Sequence, residues 1–421
     1  MRLRTGKVAR TPDQEQQEYN LMDKKNRYIR FCGIDVAKNK HVFCVIHRDG
    51  NTIVKSRSFA NDKDGYQRLL QSLQNIGLSH TVLVGMEATA HYWYSLHEFL
   101  IRNGYHVAVL NPIQTAQQAK KDIRKRKTDK LDAFHIAVLL KNGEYKAALI
   151  PGELAMTCRQ LTRLRYRLVQ QTASLKQLIW SRLHPVWPEY AGLFKNPFCA
   201  TSRKLLYTAP TPRDVLNMPQ EQLSVMIRRA SRGKYAQAQA KKVWHAAADS
   251  AGMHRSLDGA RIGIRTLLTQ IDAVRPIREK LEEDIGRLAQ RLPAYIFTLP
   301  GIDPIRAASL FGETDPITTF TAPAQLVAFA GLDLSVFQTG QYEAPHRRIS
   351  KRGSPFLRQT LWNMAFQAIY REGEIRDYWL RKNADGLKHK AAITAVSIKL
   401  CQITWRILTD KRDYLPEGRP N

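Results

Sequence analysis

The sequence predicts a mixed α/β domain at the N-terminus, followed by a chain that is mainly α-helical. Two patterns support this division. Between residues 28 and about 142, short apolar runs typical of strands alternate with helical stretches. From residue 151 onwards, leucine and isoleucine recur instead at the spacing of long helices. The polar segment 1–27 has neither pattern, and we expect it to be a disordered basic tail.

The N-terminal pattern predicts five strands and two helices. We expect strands at 28–36, 40–47, 52–59, 81–86 and 105–110, and helices at about 62–76 and 92–102. Residues 48–51 form a hairpin turn between the second and third strands. Three antiparallel strands followed by alternating strand and helix is the order of an RNase H-like fold. Asp35 then ends the first, central strand, and Glu87 ends the fourth.

Two further acids lie in a stretch, from about 113 to 140, that is predicted to be helical. Asp129 and Asp132 are three residues apart and therefore share one helix face. With Asp35 and Glu87 they would supply four carboxylates to one site. Mg²⁺ prefers such oxygen ligands. Two ions about 4 Å apart would activate an attacking oxygen and stabilise a leaving oxygen on phosphorus. The alternative is that these acids are a cap and surface charges, neutralised by Lys125, Lys127 and Lys130.

Residues 151–292 are predicted to form a coiled coil with a basic helical insert at about 195–255. One heptad series consists of Leu154, Leu161, Leu164, Leu168, Leu175 and Leu178. The other consists of Ile264, Leu267, Ile271, Val274, Leu281, Ile285 and Leu288. The two helices could pair within one chain or across a dimer. Pro276 should kink the second helix or face outward. The cations of the insert fit nucleic-acid contact and a solvated face equally well.

Residues 293–385 are predicted to form a mainly helical domain, and residues 386–421 a C-terminal helix and tail. The turn Leu299-Pro300-Gly301 precedes a helix at about 305–311, whose first N–H groups could contact phosphate. Farther on, the hydroxyl residues Ser335 and Thr339 precede a group of cations: Arg347, Arg348, Lys351, Arg352 and Arg358. This arrangement fits a nucleophile beside a phosphate clamp. A polar loop that only grips phosphates is the alternative, and spacing alone favours the loop.

The charge predicts a nucleic-acid partner. The chain has 66 Lys+Arg against 37 Asp+Glu, a net charge of +29, and basic surfaces bind phosphate backbones by releasing counterions. A hydrophobic content of 43% over 421 residues is enough for two or three cores, which excludes a basic tail alone. We find neither a signal peptide nor an apolar run of roughly 18–20 residues, and therefore expect an intracellular protein with no membrane partner.

Five ordered motifs resemble the DEDD transposases of the insertion-sequence one-hundred-ten family. They are Gly-Ile-Asp-Val-Ala-Lys at 33–38, Met-Glu-Ala-Thr at 86–89, Lys-Thr-Asp-Lys-Leu-Asp-Ala at 127–133, Leu-Pro-Gly-Ile at 299–302, and a fifth at 330–358. The fifth contains Ala-Gly-Leu, Gln-Thr-Gly, Ile-Ser-Lys-Arg-Gly-Ser and Leu-Arg. The resemblance covers about residues 29–385. It implies a RuvC-like domain at 28–150, a long coiled coil, and a C-terminal transposase domain.

The resemblance also implies an RNA-guided DNA recombinase. A structured bridge RNA would pair with donor and target DNA, and the protein would act as a dimer or tetramer in the cytoplasm, at the nucleoid. Mg²⁺, with Mn²⁺ as an alternative, would be bound by the family's four acids, which correspond to Asp35, Glu87, Asp129 and Asp132. Cations of the fifth motif, Arg347, Arg348, Lys351, Arg352 and Arg358, would hold DNA phosphates.

The family's nucleophilic serine corresponds to Thr339, so this sequence departs from the family pattern at that position. The methyl group of threonine crowds an in-line attack, so Ser335 is the fallback nucleophile. Two rival functions remain open. A RuvC-like metal-dependent junction resolvase would use the four acids and water, without a covalent intermediate. A non-catalytic RNA- or DNA-binding protein would explain the charge but not the acids.

Overall fold

A computed structural model describes residues 28–88, 91–110, 115, 128–145, 147–235, 237–334, 338–339, 342–343 and 349–416. At 338–339 and 342–343 the description is limited to the backbone. The predicted tail, 1–27, lies outside these residues. The chain divides into two compact units, Met1–Ile150 and Pro151–Asn421.

The first unit is built on a five-stranded mixed sheet with the order β3-β2-β1-β4-β5. The strands are β1 (Arg30–Asp35), β2 (Lys40–His47), β3 (Thr52–Ala60), β4 (Val82–Glu87) and β5 (His106–Leu110). Strands β1 to β3 pair antiparallel, whereas β4 pairs parallel with both β1 and β5. The five predicted strands and their RNase H-like order are therefore confirmed.

Helices cover both faces of this sheet. Helices α1 (Lys63–Gln74) and α2 (Trp93–Arg102) lie on one face, and α3 (Asp129–Asn142) lies on the other. Because side chains alternate along a strand, Cys32 and Ile34 of β1 pack in the core with α1 and α2, whereas Phe31 packs with α3. The odd-numbered positions of β1 thus face α3.

Two glycines let α3 lie close to the sheet. A Cβ atom at Gly33 would be 2.1 Å from the carbonyl oxygen of Ala133 and 2.5 Å from the backbone nitrogen of Ala137. A Cβ at Gly85 would be 2.7 Å from a methyl carbon of Leu140. Any side chain at Gly33 would push the helix backbone away from β1.

The predicted continuous helix from 113 to 140 is wrong in its extent. Thr128 is extended, with φ −145° and ψ 144°, and its hydroxyl accepts a hydrogen bond from the Leu131 N–H at 3.4 Å. Helix α3 therefore begins at Asp129, because Thr128 acts as its N-cap. Residues 111–114 and 116–127 lie outside the described part of the chain.

Two long antiparallel helices organise the second unit, α4 (Glu153–Val186) and a helix at Leu257–Ala289. Cys158 and Ile285 share one hydrophobic cluster at one end of the pair, whereas Ile179 and Ile264 share another at the opposite end. The two helices therefore pair within this chain, which is the first of the two predicted alternatives.

The two heptad series differ in how well they describe this contact. Ile264, Ile271 and Ile285 of the second series are buried, and Pro276 is exposed on the outer face. In the first series, however, Leu164 and Leu178 are 47% and 45% exposed. The buried residues of α4 include Leu175 of this series but otherwise lie on a neighbouring stripe, which consists of Ala155, Cys158, Thr162, Ile179, Leu183 and Val186.

Four helices form the predicted insert: α5 (Ala200–Thr208), α6 (Pro212–Leu216), α7 (Gln220–Ala230) and α8 (Gln237–Ala248). They surround the buried Trp187 and Tyr190. The indole N–H of Trp187 donates to the carbonyl oxygen of Ala246 at 3.2 Å. The helix Leu257–Ala289 is named α9. The insert is thus a packed helical region that shares a core with one end of α4 and one end of α9.

In its described residues, the C-terminal part contains five α-helices and a short ladder. The helices are α10 (Pro304–Thr314), α11 (Pro323–Phe329), α12 (Pro355–Ala368), α13 (Glu374–Ala384) and α14 (His389–Asp410), and the ladder joins β6 (Gln338–Thr339) to β7 (Tyr342–Glu343). Within the described residues, α14 is the one helix whose length and composition would allow it to cross a membrane. Its Val396 and Leu400 pack against Leu361 and Met364 of α12 in one core.

We expect Gly33→Ala to destabilise the protein by about 3 kcal/mol, at the upper end of overpacking costs, because the new methyl group meets helix backbone that cannot move alone. Gly286→Ala in α9 is the matched control. No atom lies within 4 Å of a Cβ at that position, so alanine should stabilise α9 by up to about 1 kcal/mol. Calorimetric unfolding of the full chain measures both. Equal melting temperatures for wild type and Gly33→Ala would contradict the close packing.

Candidate active site

Asp35 and Glu87 occupy equivalent positions at the ends of neighbouring parallel strands. The register pairs Gly33 with Gly85 and Ile34 with Met86, so the next residues along the two strands are Asp35 and Glu87. Residues paired in this way point to the same face of a sheet. Since Gly33 and Gly85, two residues earlier, face α3, both carboxylates leave the sheet on the α3 side.

The other two acids lie in the first turn of α3. Asp132 precedes Ile136 by one helical turn, and the Cβ of Ile136 is 3.0 Å from a Cβ built at Gly33. Asp132 therefore lies on the side of α3 that covers β1. Asp129 is exposed and lines a cavity of about 920 Å³ with Lys40, Arg57 and Lys130 among its walls. The helix N-terminus favours both negative charges.

Thr115 orients Glu87. Its hydroxyl donates a hydrogen bond of 2.6 Å to Oε2 of Glu87, and the residue is only 8% exposed. The sequence analysis missed this contact because 28 residues separate the two partners and no local motif links them.

The chemistry of the four carboxylates fits a hard divalent cation, because Mg²⁺ and Mn²⁺ prefer oxygen ligands. Their positions fit in part. Three of the acids lie on one side of the sheet, as described above. Among the residues described, however, no three His, Cys, Asp or Glu side chains are close enough together to hold a metal ion. The structure therefore gives the acids a common face but not a formed metal cluster.

Thr339 ends the first strand of a hairpin in the second unit. Gln338 pairs with Glu343 and Thr339 with Tyr342, so only residues 340 and 341 separate the two strands. At the base of the hairpin, Leu334 and Ile349 form an antiparallel bridge. Thr339 thus lies in the pair of this ladder that is nearest to the connection between the two strands. The fallback nucleophile Ser335 and the cations Arg347 and Arg348 lie outside the described residues.

Hydrogen bonds fix the base of this hairpin. The Ser350 N–H donates to the carbonyl oxygen of Asp333 at 2.8 Å, and the Ser350 hydroxyl donates to the Asp333 carboxylate. Arg358 donates from Nη1 to the carbonyl oxygen of Ala330 at 2.9 Å. Arg358, predicted to contact phosphate, therefore has one donor engaged in holding the chain, whereas Lys351 and Arg352 are exposed.

An ion pair with a buried carboxylate lies near the same region. Glu313 of α10 is 2% exposed and accepts two hydrogen bonds from Arg163 of α4, at 2.6 and 2.9 Å. Its Oε2 also accepts from the Ser354 hydroxyl at 2.8 Å, and that hydroxyl caps α12 by accepting from the Leu357 N–H at 3.1 Å. Sequence reasoning missed this network, whose members are 41 and 150 residues apart.

The turn at Leu299-Pro300-Gly301 serves packing. Gly301 has φ +73°, and a Cβ there would be 2.1 Å from the carbonyl oxygen of Met364. At the start of α10, the Asp303 carboxylate accepts from the Arg306 N–H at 2.7 Å. A carboxylate cap occupies this donor and repels phosphate, so the predicted phosphate contact has no support here.

The sheet order, with Asp35 and Glu87 at the ends of neighbouring strands, defines an RNase H-like domain. The family comparisons are more specific. A model of DEDD transposases of the IS110 group matches residues 32–188, and the model "Transposase IS116/IS110/IS902 family" matches residues 294–380. The chain belongs to the IS110 family of transposases, which are DNA recombinases. The first match contains all four acids, and the second contains Thr339.

Relatives extend the similarity along the chain. The mini-circle transposase for IS117 of Streptomyces coelicolor is 24% identical over 383 residues, covering 86% of this chain and 89% of the relative. The Insertion element IS116 protein of Streptomyces clavuligerus is 23% identical, with coverage of 91% and 96%. A shorter match of 111 residues, 31% identical, joins 25% of this chain to 33% of the pilin gene-inverting protein of Moraxella bovis.

Solved structures add a weaker similarity. The T. thermophilus RuvC in complex with a Holliday junction substrate is 15% identical, with a TM-score of 0.23. It covers 29% of this chain and 100% of that one.

We expect Glu313→Gln to destabilise the second unit by about 3 kcal/mol, because it removes the charge that Arg163 and Ser354 surround. Glu283→Gln is the matched control. Glu283 is exposed and pairs with Lys280 one turn away, so its loss should cost less than about 1 kcal/mol. Denaturant unfolding of the full chain measures both changes. Equal effects of the two substitutions would mean that the buried network does not support the hairpin region.

Proposed function

We propose that this chain is an RNA-guided recombinase that moves an insertion sequence by cutting and rejoining DNA. The observation that carries the proposal is the parallel register that places Asp35 and Glu87 side by side at their strand ends. Acids in this position could bind divalent cations, which stabilise charge on the attacking and leaving oxygens in phosphoryl transfer. As mere surface charges they would have no reason to share the face that α3 covers.

The four acids would form the metal-binding half of the reaction centre. Asp35, Glu87, Asp129 and Asp132 would hold Mg²⁺ or Mn²⁺, which neutralises phosphate charge when bound. Thr115 would keep the Glu87 carboxylate in one orientation through its hydrogen bond. Because the acids do not form a three-ligand group in the described residues, binding of nucleic acid and metal together would draw them closer.

Thr339 would be the nucleophile of the second half. Its hydroxyl oxygen would attack the scissile phosphorus and form a threonine–phosphate bond, while the bond from phosphorus to the sugar oxygen would break. The proton lost by Thr339 would balance the proton that the leaving sugar oxygen takes up to become a hydroxyl group. A hairpin held at its base by Asp333 and Ser350 would present Thr339 beside the turn, where a strand of DNA has access. Arg347, Arg348, Lys351 and Arg352 would contact the phosphates around the scissile one.

Specificity would come from base pairing with a bridge RNA rather than from side chains. The net charge of +29 suits a protein that must neutralise the backbones of a guide RNA and of donor and target DNA. Two duplexes also call for more than one copy of the chain. A dimer or tetramer, formed at the nucleoid in the cytoplasm, would hold donor and target together.

We expect Asp35→Asn and Glu87→Gln each to abolish strand exchange, because each removes a metal ligand, and to leave DNA affinity within about threefold, because many cations share phosphate neutralisation. Glu98→Gln is the matched control, since Glu98 pairs with Arg102 on the exposed side of α2. Strand exchange is measured on a donor and target pair with Mg²⁺. Wild-type rates for Asp35→Asn or Glu87→Gln would refute the metal site.

We expect a substrate nicked beside the cleavage point to trap the protein covalently on DNA, with the adduct on the peptide that contains Thr339. Thr339→Ser should form the adduct at least as fast, because the same oxygen attacks with less crowding, and Thr339→Ala should form none. An adduct that persists in Thr339→Ala and disappears in Ser335→Ala would move the nucleophile to Ser335. Cleavage without any adduct would replace the recombinase with a metal-dependent junction resolvase.

We expect the protein to copurify with one structured RNA species encoded beside its own gene, because a guide must stay bound through both pairing events. Sequencing of the bound RNA identifies it. Ribonuclease treatment should abolish strand exchange, and adding back the transcribed RNA should restore it. Strand exchange that is unaffected by ribonuclease would exclude RNA guidance and leave the metal and hydroxyl chemistry in place.

A further inference from the structure

A cavity of about 450 Å³ opens in the second unit beside the base of the hairpin. Its walls combine aromatic, basic and amide side chains: Tyr166 of α4, Arg358, Gln359 and Trp362 of α12, and Lys390 of α14. Ile349, which bridges to Leu334 at the base of the hairpin, completes one side. Apart from Arg358, these residues have no part in the chemistry proposed above.

Packing holds the aromatic rings of this cavity in place. The Trp362 ring stacks on Phe366, with centroids 5.5 Å apart and planes at 11°. Tyr166 meets Phe356 edge-on, with ring centroids 5.0 Å apart. The Arg163 guanidinium lies over the Phe356 ring, 4.6 Å from its centroid. Fixed rings lose little entropy when a flat ligand stacks on them, which makes them suited to binding a nucleobase.

We propose that this cavity receives one unpaired nucleotide of the DNA strand that the protein cuts, an inference that rests on the proposed recombinase function. The base would stack on Trp362, the Gln359 amide would face its polar edge, and Arg358 and Lys390 would bind the flanking phosphates. The volume lies in the range of sites that enclose small molecules. Taking a base out of a duplex costs a few kcal/mol, which stacking and phosphate contacts would offset.

The hairpin sets the distance between this nucleotide and the cut. Thr339 is five residues beyond Leu334, and a strand rises by about 3.4 Å per residue, so at most about 17 Å separate the base of the hairpin from Thr339. One strand of a DNA duplex advances about 3.4 Å per nucleotide. The nucleotide in the cavity should therefore lie within about five positions of the scissile phosphate.

An abasic scan combined with Trp362→Leu tests the proposal. Single abasic sites are placed at each of the five positions on either side of the cut, and the affinity of the full protein with its bound RNA is measured. In the wild type, one abasic position should weaken binding by roughly 5- to 150-fold, the value of one stacked base. In Trp362→Leu, intact DNA should bind that much more weakly, and the same abasic site should cause no further loss.

Matched controls separate the cavity from its surroundings. Trp362→Phe should recover most of the affinity, and it also serves if Trp362→Leu does not fold. Phe297→Leu changes an exposed aromatic residue of the same unit, outside the cavity walls, and should bind normally. Lys390→Gln should weaken binding, whereas Lys388→Gln, exposed and outside the cavity walls, should do so less.

The inference would be overturned if the affinity losses caused by Trp362→Leu and by the abasic site add up at every position, within about 0.5 kcal/mol or twofold. This holds even if strand exchange is normal. Coupling seen only when the abasic site is placed in the guide RNA would also overturn it, since the occupant would then be RNA. Normal coupling in a protein that never exchanges strands would instead defeat the proposed function and leave a nucleotide-binding cavity.

Discussion

The close contact between α3 and the two central strands determines the geometry of the acidic site. Gly33 and Gly85 allow the helix to approach β1 and β4, and a Cβ at Gly33 would be only 2.1 Å from helix backbone. This contact fixes which face of the sheet Asp35 and Glu87 share with α3. Thr128 then ends the extended chain and starts the helix, so that Asp129 and Asp132 fall in its first turn. The placement of the four acids therefore depends on this backbone packing.

A separate hydrogen-bond network, centred on Glu313, organises the region around the hairpin that contains Thr339. The buried Glu313 joins α4, α10 and the N-cap of α12 through Arg163 and Ser354. Ser354 is four residues from Ser350, which lies at the base of the hairpin and donates hydrogen bonds to Asp333. Burying a charge is costly unless it is fully paired. The pairing with Arg163 and Ser354 therefore ties α4 and α10 to the start of α12, the helix that follows the hairpin.

Local patterns were sufficient to predict the sheet and most of the helices, because alternation and helical spacing act over a few residues. They were also sufficient to place Asp35 and Glu87 at strand ends and to put Asp129 and Asp132 on one helix face, although that helix begins only at Asp129. They failed where partners are distant in sequence: Thr115 on Glu87, Arg163 on Glu313, and Trp362 with Lys390 at one cavity. The heptad series in α4 misled in part, since Leu164 and Leu178 form an exposed stripe beside the true contact. Nothing in leucine spacing distinguishes two neighbouring stripes of one helix.

The central claim is that the acids on the α3 face bind divalent metal together once nucleic acid is present. Electron paramagnetic resonance of Mn²⁺ bound to the protein–RNA–DNA complex tests it most directly, with the RNA and DNA alone giving the Mn²⁺ that nucleic acid binds by itself and Glu98→Gln as the matched control variant. The account predicts that wild type and Glu98→Gln bind the same number of additional ions, and that Asp35→Asn, Glu87→Gln and Asp132→Asn each lose them. Additional ions that remain bound in all three variants would contradict the account.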